Sequence, residues 1–216
     1  MTQLIYVADP MCSWCYGFGP ELMALLDTLP GAKVDMIMGG LRAYNKQVLD
    51  DETRTTILGH WQHVAERTGL PFDSAALSQP GFIYDTEPAC RAVVTARTLT
   101  DDDTGRAALA VFHAVQHAFY AEGKDVRDTA VLSALAVEAM NKVEGKDSFD
   151  VQSFAETLVS PMAMSDTREH FEQAQRWGIR GFPALLLVHN EALHMLASGF
   201  TTRDDLIATL QQVQQA

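Results

Sequence analysis

The residues best equipped for chemistry lie in one short stretch, Met11 to Pro20 (MCSWCYGFGP), where Cys12 and Cys15 stand in a C-x-x-C spacing. Thiols at that spacing can close to a disulfide without backbone movement. A short apolar run precedes them and a helical pattern follows, so the first sulfur falls at a helix N-terminus, where unpaired backbone N–H groups and the positive end of the helix dipole favour a thiolate. Cys12 is therefore the expected nucleophile. Cys15, one turn further in and less exposed, is the expected resolving thiol, placed to attack a mixed disulfide on Cys12 and release the other sulfur. Ser13 and Trp14, between them, carry no cation. The helix terminus alone should then lower the pKa of Cys12 moderately, giving a pair nearer the reducing end of the known dithiols than the oxidising end.

Other readings of the reactive side chains are weaker. A closed zinc site needs four ligands, usually from a second C-x-x-C or a histidine pair, and the chain offers no second pair. Cys90, in YDTEPACR, sits near a helix start that could activate a thiol, but free cysteine is among the most buried side chains and a structural role is expected. His113 and His117 are spaced i, i+4, as a metal site would have them, without an acidic or third histidine partner nearby in sequence. They read as helix-face histidines, as do His60 and His63 around Trp61. No metal ligand set is expected. Asp101 to Asp103, between Thr100 and Thr104, reads as a solvated loop that caps the next helix. Met11, Met36, Met38, Met162 and Met164 could line an adaptable groove for unfolded substrate, though core filling is the simpler role for most of them.

The elements that must position the dithiol can be read from pattern and punctuation. Gln3 to Ala8 (QLIYVA) is a buried strand, Asp9-Pro10 a turn and Glu21 to Leu29 a helix. Ala32 to Met38 is a second strand, after which Gly39-Gly40 lets the backbone leave the sheet. From Tyr44 to Met164 no strand pattern appears. Helices are expected over Glu52–Thr68, Pro88–Leu99, Gly105–Ala121, Asp128–Asn141 and Ser148–Val159, with Asp128 and Ser148 as N-caps and Gly69-Leu70-Pro71 as a stop. The chain should return to the sheet at Ser165, with a capping-box start at Asp166 and Glu169 and a helix to Trp177. Ala184–Val188 and Leu193–Ala197 then form a hairpin across His189 to Ala192, and Thr202–Gln215 is the last helix.

Strand, C-x-x-C and helix, with Pro20 five places after Cys15, resemble the start of the thioredoxin superfamily, whose first helix is typically kinked by a proline there. The second half of the resemblance is Gly178 to Leu187 (GIRGFPALLL), in which Pro183 matches the cis-proline loop that faces the dithiol. The wide separation of the two motifs resembles the DsbA-like oxidoreductases, in the branch of FrnE-like and predicted protein-disulfide isomerases. That resemblance implies an α/β thioredoxin fold with an inserted all-helical domain, the thioredoxin-like part formed by residues 1–43 and 165–216 and the insertion by 44–164. It also implies a thiol–disulfide oxidoreductase or isomerase in which Gly181, Phe182, Ser13 and Trp14 border the substrate. The Phe182–Pro183 bond should be cis and lie against the Cys12 sulfur, and the Phe182 N–H and C=O should pair with an extended substrate strand.

Disulfide-containing proteins are the implied partners, with no resident cofactor and with glutathione as an optional co-substrate or a thioredoxin-type protein as redox partner. The alternative is a glutathione-dependent isomerase or transferase, since hydroxychromene-carboxylate isomerases and kappa glutathione transferases share the architecture. Those enzymes usually place Ser at the first site position and need no second thiol. Two positions depart from the family pattern. Where relatives commonly carry a buried acid, six places before the nucleophile, this chain has Tyr6, so the proton acceptor for Cys15 must be sought among Asp9, Asp85, Glu87 and water. Phe182 stands where relatives often have Thr or Val, and its bulk is expected to narrow or grease the groove.

Composition bounds the rest. A net charge of −12 with pI near 4.9 argues against a nucleic-acid surface, which needs clustered Lys and Arg. No apolar run reaches the length of a membrane span, and the first residues lack the pattern of a secretory signal. The expectation is a soluble cytoplasmic protein whose dithiol rests reduced and acts as a reductant or isomerase.

Overall fold

Strand β1 (Gln3–Ala8) is almost continuously apolar, and the computed structural model, which describes residues 1–100, 102–144 and 148–215, shows why: both of its faces are covered. Leu4, Tyr6 and Ala8 point into the larger core with Val34, Met36, Met38, Leu185 and Leu187, whereas Ile5 and Val7 point into a smaller one with Ile37, Ala174, Ile179 and Leu186. β1 runs parallel to β2 (Lys33–Met38) and antiparallel to β3 (Ala184–His189), and β3 pairs with β4 (Ala192–Ser198), giving the order β2-β1-β3-β4. The β3–β4 hairpin turns on Asn190 and Glu191 alone, both left-handed at φ 50 and 61.

Between β1 and β2 lies helix α1 (Ser13–Asp27), and between β2 and β3 the described residues form six more: α2 (Asp51–Thr68), α3 (Glu87–Leu99), α4 (Arg106–Tyr120), α5 (Thr129–Glu144), α6 (Val151–Leu158) and α7 (Pro161–Arg176). Helix α8 (Arg203–Gln215) follows β4. α1, α4 and α8 contribute Phe18, Leu22, Phe112, Leu206 and Leu210 to the larger core, while α7 supplies Ala174 to the smaller one, so the sheet is sandwiched.

Several boundaries differ from the sequence expectation for local reasons. α1 begins at Ser13 rather than Glu21 and runs through Pro20. α7 begins at Pro161, because the Ser160 hydroxyl accepts from Ala163 N–H at 3.1 Å and a proline occupies the first turn; this start outcompetes Asp166, and Ser165 lies within the helix. α6 is capped by Asp150, which accepts from Ser153 N–H at 2.9 Å, and not by Ser148, whose own N–H donates to Asn141. Asp128 does cap α5, accepting from Ala130 and Val131 N–H, and Gly69 ends α2 in the left-handed region at φ 73. Of the acidic run, Asp102 accepts from the backbone of Thr104 and Ala107, while Asp101 lies outside the described residues. An isolated bridge joins Val48 to Ile83 in the stretch expected to be wholly helical.

Candidate dithiol site

Cys12 is the N-cap of α1, in extended backbone conformation, and no side chain caps the helix in its place. No acidic residue occupies the first turn either, so the terminal N–H groups and the dipole are left to the sulfur. Asp9 closes the turn before it, its carbonyl accepting from Cys12 N–H at 3.0 Å and one carboxylate oxygen from Met11 N–H at 2.8 Å. All three cysteines are free thiols.

Exposure separates the pair: Cys12 is 7% exposed and Cys15 fully buried. So does acidity. The Cys15 thiol and the backbone N–H groups of Cys15 and Trp14 favour the Cys12 thiolate by hydrogen bonding to it and pull the Cys12 pKa below the ordinary thiol value, against burial and the nearby Asp9 charge. Burial, followed by the interaction with Cys12, pushes Cys15 well above it. Opposite the dithiol, the Phe182–Pro183 peptide is cis, and the Phe182 carbonyl accepts from the Cys12 thiol at 3.6 Å across 170 positions of sequence. Pro183 is buried and Gly181 exposed. Ser13 and Trp14 are half-buried, and the Trp14 ring meets Phe200 at 5.8 Å.

The bulk of Phe182 is spent inward. Its ring packs against both cores, on a niche floored by Gly39, where a Cβ would lie 2.1 Å from the ring's Cζ. Gly40 is covered in the same way by Phe171 of α7 and adopts φ 65.

Among the three acids considered for the Cys15 proton, only Asp9 belongs to the site. Asp85 accepts from Tyr44 and Glu87 N–H on the surface, and Glu87 is paired with Arg91 at 2.8 Å. Asp9 is fully buried; besides Met11 N–H it accepts from Leu41 N–H at 2.7 Å, from the Cys90 thiol at 3.5 Å and from the Thr86 hydroxyl. Burial still raises its pKa, and its charge opposes ionisation of both Cys12 and Cys15. Cys90 is thus buried, as expected, with burial and Asp9 holding it protonated.

Pattern reading missed the residues that reach the site from the helical stretch. The Tyr84 hydroxyl donates to the Met11 carbonyl at 2.6 Å, and the Thr86 hydroxyl interacts with the Asp9 carboxylate. Nothing local in YDTEPACR announces these contacts, since they form between segments 73 positions apart. The remaining candidates scatter. His113 packs its buried Nε2 beside Gly19 of α1, His117 is exposed and meets Glu122 at 3.3 Å, and His60 and His63 are exposed. Met11, Met36 and Met38 fill the core, while Met162 and Met164 are exposed.

A sheet of this order, with a C-x-x-C at the head of its first helix and a proline loop facing it ahead of β3, defines a thioredoxin-fold protein. More narrowly, the chain belongs to the DSBA-like thioredoxin domain family, whose model matches residues 3–206. It is similar to a candidate protein disulfide isomerase from Nitrosomonas europaea, at 34% identity and a TM-score of 0.85, with 99% of this chain and 98% of that one covered. It is also similar to the cytosolic disulfide reductase DsbM from Pseudomonas aeruginosa, at 28% identity and a TM-score of 0.74 over 99% of this chain and 100% of that one. A DsbM structure with GSH superposes at a TM-score of 0.72, with 26% identity and the same coverage. A 2-hydroxychromene-2-carboxylate isomerase shares the fold at 15% identity and a TM-score of 0.65, over 99% of this chain and 95% of that one. No curated protein sequence matches the chain.

Proposed function

We propose that this protein is a thiol–disulfide oxidoreductase that reduces or isomerises disulfides in proteins or small molecules, with Cys12 as nucleophile and Cys15 as resolving thiol. The observation that carries this reading is the asymmetry of the pair: the less deeply buried sulfur caps a helix N-terminus with a lowered pKa, beside a fully buried thiol with a raised one. The Cys12 thiolate attacks a substrate disulfide, one substrate sulfur leaves as thiolate, and a mixed disulfide forms. Cys15 then gives up its proton and attacks the Cys12 sulfur, so that the second substrate sulfur leaves and the substrate has gained two electrons.

Once Cys12 is ionised, its hydrogen bond to the Phe182 carbonyl is lost, which frees that carbonyl to pair with the backbone of an extended substrate beside Pro183. Reduced glutathione is the thiol proposed to return the pair to its dithiol form, in a reducing cytosol, a reading supported by the naming of DsbM as a cytosolic disulfide reductase and by its structure with GSH. A retained resolving thiol weighs against a glutathione-dependent isomerase, which needs only the first position.

The test is insulin reduction and refolding of a scrambled-disulfide protein by the wild type beside Cys12→Ser and Cys15→Ser. Cys12→Ser should be inactive and Cys15→Ser should accumulate a mixed disulfide. Full turnover by Cys15→Ser would refute the two-thiol mechanism.

A further inference from the structure

The Tyr6 hydroxyl is buried and has no hydrogen-bond partner among the described residues. Such a group has given up water without replacing it, which costs stability, so its retention asks for a use. Packing dictates where it sits. The Tyr6 ring meets Phe112 of α4 at 5.6 Å and Phe18 of α1 at 5.8 Å between centroids. Phe18 follows Cys15 by one helical turn on the same buried face, and the Tyr6 phenol beside it is near enough to both cysteines to interact with them. Phenol and thiol lie within interaction range, and negative charge on either opposes the other; the dithiol nevertheless makes no hydrogen bond of ordinary geometry with the phenol. A neutral thiol is a weak acceptor, whereas a thiolate is a strong one.

We propose that Tyr6 is a catalytic residue of the resolving step, its O–H donating to the Cys15 sulfur as that sulfur becomes a thiolate. The inference rests on the two-thiol reading given above. In the step, the Cys15 S–H bond breaks and its proton passes to water. The freed electron pair forms the bond to Cys12 Sγ, and the bond between Cys12 and the substrate sulfur breaks, its pair leaving with the substrate, which water reprotonates. Tyr6 keeps its own proton throughout, as burial dictates by pushing the phenol well above its ordinary value.

The experiment is Tyr6→Phe, which removes one oxygen and leaves the ring. Wild type and variant are mixed with oxidised glutathione, quenched with acid, and the glutathione adduct on Cys12 is followed by intact mass. Cys15 alkylation against pH is measured in a Cys12→Ser background. Loss of a hydrogen bond to a charged group should slow resolution on the order of tenfold and move the Cys15 profile up by about one pH unit, with no fall in melting temperature. Equal adduct lifetimes and superimposable profiles would overturn the proposal, as would a lowered melting temperature with unchanged resolution, which marks a packing role. Loss of the fold in Tyr6→Phe would overturn it too, because an unpartnered hydroxyl cannot be what holds the fold. If wild type and variant alike carry an adduct that Cys15 never resolves, the two-thiol reading itself fails.

Discussion

Gly39→Ala should disable the site from behind. The added Cβ would stand 2.1, 2.2 and 2.7 Å from Cζ, Cε1 and Cε2 of Phe182. Carbon pairs settle at about 3.5 Å or more, so the ring edge must retreat by about 1.4 Å. Phe182 is half-buried between two cores, and overpacking of this kind costs about 1–3 kcal/mol. The ring cannot move alone, because the same residue supplies the carbonyl facing Cys12 and the peptide leading into Pro183. Misplacing a positioning group by about 1 Å can cost on the order of 100-fold in rate. Insulin reduction and urea unfolding of Gly39→Ala, Phe182→Leu and the double variant form a cycle in which Leu lacks the atoms that collide. The double variant should recover at least about 1 kcal/mol relative to the sum of the singles. Effects that add within about 0.5 kcal/mol, or a Gly39→Ala protein with full activity, would refute the argument that Gly39 seats the proline loop through Phe182.

Two further outcomes follow from the same geometry. The Cys15 thiol is the leading cause of the lowered Cys12 pKa, so Cys15→Ala should shift the pH profile of Cys12 alkylation upward while Cys15→Ser, which keeps an O–H donor, shifts it less; identical profiles for the two would contradict this. His113 is buried beside α1 with its pKa lowered to about 4 by burial, so it is neutral in the folded protein and takes up a proton on unfolding below its ordinary 6.5. Its contribution is full well above that value and is lost as pH falls through 6.5 toward 4, so between pH 6.5 and 5 the wild type should lose about 1.6 kcal/mol in urea unfolding that His113→Leu does not. Parallel losses in both proteins would show that His113 does not titrate on unfolding.

What could be read from the chain alone was local or strongly patterned. The dithiol spacing lies within one helical turn, β1 is an apolar run because both its faces are buried, and Gly69 and Asp128 act through neighbours two to four residues away. Local signals also compete, and there the reading slipped: Ser160-Pro161 and Asp150 start helices that Asp166 and Ser148 were expected to start. The surround of the dithiol was a different matter. Whether Asp9, Asp85 or Glu87 belonged to it turned on contacts of Asp9 with Leu41, 32 positions away, and with Cys90, 81 positions away. The inward turn of Phe182 depends on a glycine more than a hundred residues earlier, and the pairing of its carbonyl with Cys12 spans 170 positions. The resemblance marks the position of Tyr6 in the sequence, but only the packing of its ring against Phe18 and Phe112 leaves its hydroxyl buried, unpartnered among the described residues and near Cys15. Periodicity and caps record what a residue does to its own segment. Which distant segment closes over it is decided by burial of the whole chain at once.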